Sequence, residues 1–394
     1  MSDLSFIRCV HISFCRELKN IVADRLYLSV VSILPLISII FFALMFYSGV
    51  IRDLPLAVVD SDRSDMSRKF VGMLAATRGV EPDMGYNSIQ EAKSAVLRGN
   101  AVGLLHIEDG FEADLYRGER VSIWCYLPGT SLSVSGVVER EVQMCARMLS
   151  GKITLNRLVA KGENMDKVMV DVNPINLHIN TISNPYMNYG YYLAPIFMFM
   201  ALVIFTVVAT TYALGRELYY ATAAGWRSVV HGRMGAAMVG KMLPITLAMS
   251  LAMQLIFFVL FVIMGMGCAG SYLFLTLSSV LFIVAYQSIA VFIVTITSNM
   301  RLALSLGGGY SVMAFTFSGI TFPIVSMYGV AGGLSKLFPL GYFSHIFIDQ
   351  AMRGAPVGYS VDDMGALLIF VLLLVLGVGR LDRVTSDKRY WGRD

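Results

Sequence analysis

GAAMVGKMLPITLAMSLAMQLIFF, residues 235–258, admits two incompatible readings. Its opening GAAMVGKM fits the phosphate-binding pattern G-x-x-x-x-G-K-[ST] except at the last position, which would make the chain a nucleotide-binding protein. A working phosphate loop follows a strand, opens a helix and offers magnesium a Ser or Thr hydroxyl. Here position 242 is Met, no apolar strand precedes Gly235, and the residues from Met242 to Phe258 carry no charge. That run belongs in a bilayer. The Gly and Ala residues then serve close packing where a helix enters the membrane. Lys241 suits the boundary, where its ammonium can stay hydrated. Hydrolysis of ATP on this chain is not expected.

The same reading extends outward. Of 394 residues, 56% are hydrophobic and 15% charged, whereas soluble domains carry about 25% charged residues. No Asp, Glu, Lys or Arg occurs at 26–51, 172–215, 242–300 or 302–335. A hydrocarbon core of about 30 Å takes roughly 20 apolar residues as helix. Six transmembrane helices follow, at 27–49, 191–213, 243–265, 272–297, 302–322 and, from a shorter run, 362–380. Lys and Arg concentrate in the first 25 residues, in 214–241 and from Arg380 on, while 265–271 has none and 323–361 only Lys336 and Arg353. Both termini are therefore expected in the cytoplasm. The net charge of +4 expresses this bias and not nucleic-acid binding. The first apolar run exceeds the ~7–15 residues of a signal-peptide core and reads as an uncleaved anchor. The five His are scattered without metal spacing, so no metal or other cofactor is expected. Apart from Asp362, Asp363 and Arg380 at the two ends of the last one, the spans hold no Asp, Glu, Lys, Arg or His, which argues against an ion-coupled carrier and for an external energy source.

Residues 1–26 have helical periodicity. Leu4, Ile7, Phe14, Leu18 and Ile21 form a stripe from which Arg8, Arg16, Glu17 and Lys19 are absent, the pattern of a cytoplasmic amphipathic helix lying in the membrane interface. The plain alternative is an extension of span 1. Residues 50–188 have ordinary composition. Strands are expected at LPLAVVD (54–60), AVGLLHI (101–107) and VSIWCYL (121–127). Helices are expected around Phe70, after a Ser88–Glu91 capping box, at FEADLYRG and over 131–150. VMVDVNPINLHIN (168–180) alternates like an edge strand with a slip at Pro174. The fold class is thus an α-helical polytopic membrane protein with an extracytoplasmic α/β domain inserted between spans 1 and 2. Cys125 and Cys145 share that domain; a disulfide between them is left open.

The chain resembles the membrane subunit of ABC-2 type exporters, in the branch with a large extracytoplasmic domain after span 1. LPLAVVDSDRSDMSRKF resembles that branch's strand–turn–helix opening, with Asp60, Asp62 and Ser67 in place. EAKSAVLRGNAVGLLHIEDGFEADLYRGE (91–119) resembles its second segment, with Glu108 where the family usually has Pro. NPYMNYGYYLAP (184–195) resembles the entry to span 2. RELYYAT (216–222) resembles the family's Glu-x-x-x-Gly-Thr element, with Ala221 replacing Gly. FSGITFPIVSM (317–327) and LFPLGYFSHIFIDQAMRGAP (337–356) resemble the end of span 5 and the re-entrant region after it. The resemblance implies a permease in the bacterial inner membrane. Its partners would be a cytoplasmic ABC ATPase, a second copy or sister permease, the lipid bilayer and, as further candidates, a periplasmic adaptor and an outer-membrane channel. It implies that 189–380 carries spans 2–6, with a cytoplasmic coupling segment at 214–241 and an extracytoplasmic re-entrant region at 323–361, before a cytoplasmic tail at 381–394. Arg216, Glu217, Thr222, Trp226 and Arg227 would contact the ATPase, unless these residues merely mark the membrane boundary. Ser318, Gly319, Phe322 and Pro323 would shape the translocation path or gate, unless they only break the helix. Drugs, lipids and peptides all remain open as substrate. The rival from another class is a receptor or assembly scaffold displaying the outer domain, for which one anchoring span would suffice.

Overall fold

The computed structural model describes residues 6–47, 49, 51–129, 131–160, 184, 188–319 and 322–392. Contacts divide the chain into two compact units, Met1–Gly49 with Thr181–Asp394, and Val50–Asn180. Helix α1 covers Phe6–Ala23 and α2 covers Arg25–Met45. Asp24 separates them: its backbone is extended, and its carboxylate accepts from the N–H groups of Leu26 and Tyr27, capping α2. The same carboxylate accepts from the Tyr212 hydroxyl at 2.6 Å and pairs with Arg216 at 3.4 Å. The Tyr212 hydrogen bond in the first place holds the Asp24 carboxyl below its usual range.

The unit at 50–180 holds β1 Leu54–Asp60, α3 Asp65–Ala75, β2 Val80–Asp83, α4 Ile89–Leu97, β3 Gly103–Ile107, α5 Phe111–Arg117, β4 Ile123–Tyr126 and α6 Leu132–Ala160. The sheet order is β2-β1-β3-β4, with β1 parallel to both neighbours and β4 antiparallel to β3. β1 is central, and a strand covered on both faces reads as an unbroken apolar run. Leu56 and Val58 pack with Phe70 and Val142 on one side, while Ala57 and Val59 pack with Ala92 and Ala95 on the other. β2, VEPD, had no such signal. α6 continues to Ala160, well past the expected end at 150. The Asp60–Asp62–Ser67 pattern is a turn clamp. Asp60 accepts from the Asp62 and Arg63 N–H groups and from the Ser67 hydroxyl at 2.6 Å, and Asp62 accepts from the Glu112 N–H. Ser88 caps α4, but Glu91 returns to the Asn87 N–H, one residue short of a full capping box. Cys125 and Cys145 are free thiols. The segment 168–180 lies outside the described residues.

In the other unit, α7 Tyr189–Tyr219 is followed by α8 Ala223–Val229, α9 Met234–Ile263, α10 Tyr272–Thr297, α11 Met300–Thr316, α12 Gly329–Ser335, α13 Pro339–Phe347 and α14 Val357–Ser386. α7 packs on α2, α9, α10 and α11 and is the core of the bundle. Among the described residues, five helices are long and apolar enough to cross a membrane: α2, α7, α9, α10 and α14. The run expected to span at 302–322 is α11, only 17 residues and about 25 Å long at 1.5 Å per residue. It stops short because the chain turns at Ser318 and at Gly319, where φ is +84°. α14 outlasts its expected end at 380 and continues to Ser386, with Leu381 and Val384 buried, so the expected tail begins as helix. α13 drives Phe343 and Phe347 into the bundle, where Phe343 stacks on Phe282 at 4.3 Å and both rings meet Phe199 edge-on. Gln350, just beyond, fastens the 265–271 loop. Its backbone oxygen accepts from Gly270 at 2.7 Å and its side-chain oxygen from Ser271 at 3.1 Å.

Candidate functional site: a buried charge joint

GAAMVGKM forms the first turns of α9, which is helical from Met234 on, so no loop exists there to cradle a phosphate. The second glycine instead admits α1. A Cβ at Gly240 would lie 2.4 Å from the Val10 carbonyl oxygen and 2.7 Å from Ser13 Cβ. At that crossing α1 presents Cys9, Ser13, Glu17 and Ile21, one residue per turn, all buried. Of the expected apolar stripe, Ile7 and Leu18 are 79% and 46% exposed. The face buried against the protein is a different one, on which Cys9, Ser13 and Glu17 join Ile21, a residue of that stripe.

The reason is Lys241. Its side chain is 3% exposed, against the expectation of a hydrated boundary residue. The ammonium lies 2.5 Å from Glu17 Oε2, 2.9 Å from Glu217 Oε1 and 4.9 Å over the Trp226 ring. The remaining carboxylate capacity is filled. Glu217 Oε2 takes Arg16 at 3.0 Å and the Thr222 hydroxyl at 2.6 Å; Glu17 takes the Tyr27 hydroxyl at 2.7 Å and Asn20 at 3.2 Å. Two carboxylates and two cations thus balance one another inside the chain. Such a cluster survives desolvation because every charge has a partner and the spare lone pairs are hydrogen-bonded.

The Glu217–Thr222 spacing has a backbone cause. α7 ends with the Thr222 N–H donating to the Glu217 carbonyl and the Ala221 N–H to the Leu218 carbonyl, while Ala221 sits at φ +57°. This is a Schellman termination, which places a left-handed residue one position beyond the cap and favours Gly there. It also brings the Thr222 hydroxyl back onto the Glu217 carboxylate. A left-handed Ala costs about 1–2 kcal/mol, partly offset by the greater freedom of Gly in the unfolded chain. Ala221→Gly is therefore expected to raise the midpoint of thermal unfolding by roughly 2 °C, and an unchanged or lower midpoint would contradict the strain.

Trp226 is 1% exposed, and its ring N–H donates to Ser13 Oγ at 3.2 Å, while Ser13 donates to the Ala237 carbonyl at 2.7 Å. It packs within the chain, in the cluster with Leu214, Leu218 and Met238. Arg227 clips α8 to the end of α14: it pairs with Asp382 at 2.8 Å, donates to the Asp382 carbonyl and meets the Ser386 hydroxyl. Arg216 turns to Asp24 and lies over the Tyr220 ring at 5.8 Å. So Glu217, Thr222 and Trp226 converge around Lys241, while Arg216 and Arg227 brace the joint from either side. The sequence reading missed Glu17, Arg16, Ser13 and Tyr27. The outward face of α8 consists of Ala224, Gly225, Ser228 and Val229.

The other candidate group lies apart from this joint, in the link after α11. Ser318 is buried and donates to the Phe315 carbonyl at 2.7 Å. A Cβ at Gly319 would meet Ile324 Cγ1 at 2.8 Å, and Phe322 is 52% exposed beside Pro323, which heads a short 3-10 turn at Ile324–Ser326. No curated protein and no solved structure matches the chain. The family described as ABC-2 family transporter protein matches residues 25–379, from the start of α2 almost to the end of α14. With that match and its apolar membrane-length helices, the chain belongs to the ABC-2 transporter family and is a multi-pass membrane protein.

Proposed function

We propose that the chain is the permease subunit of an ABC-2 exporter, moving its substrate out of the cytoplasm or inner membrane under the drive of a separate ATPase subunit. The observation that supports this is the joint at Lys241, which ties α1, α7 and α9 into one charged knot beneath α8. A partner closing on the outward face of α8 pushes all of them together, and through Arg227 also α14. Glu217, Thr222 and Trp226 act in this reading as the transmission behind the contact, with Arg216 and Arg227 as its braces. The bundle has six spans, α11 being the fifth, and both termini face the cytoplasm. The 50–188 domain and the re-entrant region 323–361 lie outside the bacterial inner membrane. Ser318, Gly319, Phe322 and Pro323 shape the outer gate. α1 lies in the interface with Ile7 and Leu18 toward lipid, and the working unit is a dimer with a second copy or a sister permease. A periplasmic adaptor and outer-membrane channel extend the path where export crosses two membranes.

The test is a bulky residue on the outward face of α8. Nothing lies within 4 Å of a Cβ at Gly225, so Gly225→Trp and Ser228→Trp leave the fold intact and obstruct only a partner. Each is expected to reduce co-purification of the cognate ATPase at least about tenfold, equivalent to ~1.4 kcal/mol of association free energy, with an unchanged unfolding midpoint. Undiminished association in both would remove α8 as the docking element.

A further inference from the structure

The unit at 50–180 contains a chamber that its fold leaves unfilled. α3 and α6 pack on one face of the sheet, and the inner face of the edge strand β4, with Ile123 and Cys125, is only partly covered. A cavity of about 420 Å³ stands there. Its floor is Ile123 and Cys125 of β4, and its walls are Phe111 and Leu115 of α5 and Val142 and Leu149 of α6. Small-molecule sites typically occupy about 300–1,000 Å³ and combine apolar walls with a few convergent polar groups. The polar groups here are Glu139, Gln143 and Ser150, spaced along the exposed edge of α6 so that they form one rim of the opening. Glu139 accepts from Gln143 at 3.0 Å, a neutral partner that leaves its negative charge standing, and among the described residues it forms no ion pair.

We propose that this chamber binds small amphipathic cations, with the hydrocarbon body between β4 and α6 and the cationic head beside Glu139. Apolar walls reward burial of the tail in proportion to the area removed from water. An unpaired cation could not follow it inside without losing its hydration. At the rim it keeps water on one side and gains Glu139 on the other. An anion of the same shape would meet the carboxylate as a like charge, so the site discriminates by sign and not by size. The reach of that charge into the chamber is registered on the floor, where burial first and Glu139 second push the Cys125 thiol up to about 11. The proposal stands independently of the permease reading, since it concerns a ligand of the 50–180 unit alone.

Cys125 supplies the reporter. In the full chain in lipid discs, with Cys9, Cys15 and Cys268 replaced by Ser and Cys145 by Ala, alkylation of the remaining thiol by a neutral maleimide is followed with added decyltrimethylammonium or decanoate. The cation is expected to slow alkylation saturably and decanoate to have no effect. Glu139→Gln is expected to raise the half-protecting concentration about tenfold, the scale of one charge-assisted contact, and Ala146→Trp to abolish protection by filling the chamber. Absence of protection, or equal protection by decanoate with no change in Glu139→Gln, would overturn the proposal. So would a Cys125–Cys125 cross-link between copies, which would assign the edge strand to a second chain. Where the substituted chain fails to fold, equilibrium dialysis of the same cation against wild-type and Glu139→Gln discs reads the same difference, with empty discs subtracting lipid partition.

Discussion

Lys241→Ala is expected to lower the stability of the chain by about 3–5 kcal/mol, the cost of removing one member of a buried ion pair. Without the ammonium, Glu17 and Glu217 are left as two buried carboxylates facing each other, with Arg16 the nearest cation to only one of them. The unfolding midpoint in detergent should fall by several degrees. Cys9, fully buried with its thiol toward the Val230 carbonyl, should become reactive to maleimide as α1 lifts from α9. Neutralising the stranded acids in the same background, with Glu17→Gln and Glu217→Gln, should restore most of the loss, because the penalty lies in the unpaired charge and not in the missing side chain. A boundary lysine in contact with water would instead cost only about 0–1 kcal/mol. A midpoint within a degree of the wild type, with Cys9 still shielded, would show the joint to be solvated.

Gly240→Val should have an effect of similar size by a different route. Its side chain would begin 2.4 Å from the Val10 carbonyl oxygen, a backbone atom that cannot rotate away, so α1 must move as a body. Overpacking typically costs about 1–3 kcal/mol, and displacing α1 also draws Glu17 away from Lys241. The control is the other glycine of the same motif. A Cβ at Gly235 meets nothing within 4 Å, and Gly→Ala inside a helix gains up to about 1 kcal/mol of propensity. Gly235→Ala should therefore stabilise the chain while Gly240→Val destabilises it. A phosphate loop would need both positions small and treat the two changes alike. Opposite signs in thermal unfolding identify the motif as a helix-packing surface; equal losses would reopen the nucleotide reading.

The membrane helices were legible because a bilayer imposes a rule that composition obeys locally: charge is absent wherever lipid is the solvent. The end of α11 was not, since the turn at Gly319 interrupts a run that stays apolar through Phe322. In the 50–180 unit the strands buried on both faces announced themselves, while VEPD pairs along β1 with no hydrophobic pattern to mark it. The joint was legible only on one side. Glu217 and Thr222 stand at the spacing of a helix termination, and that spacing survives in sequence. Glu17 and Lys241 are 224 positions apart, and each alone looks like a surface charge near a membrane. Only a glycine at the crossing hints that a backbone approaches closely there, and Gly240 was assigned a packing role without a partner. Cys9, Ser13 and Glu17, small or polar at four-residue steps, were the remaining trace of α1's inner face.

Stiffness is the last consequence of that knot. A lysine side chain is ordinarily a loose tether, with several rotatable bonds between backbone and charge. Lys241 has no such slack: its tip is fixed by carboxylates from two different helices and its approach is capped by an indole ring. Its attachments act like springs in parallel, so any one helix can be displaced only by straining all of them together. A soft element placed there would absorb a small displacement as side-chain motion and dissipate it. In the permease proposed above, this one would pass the displacement on as a unit, since the carboxylates and the indole hold one ammonium between them.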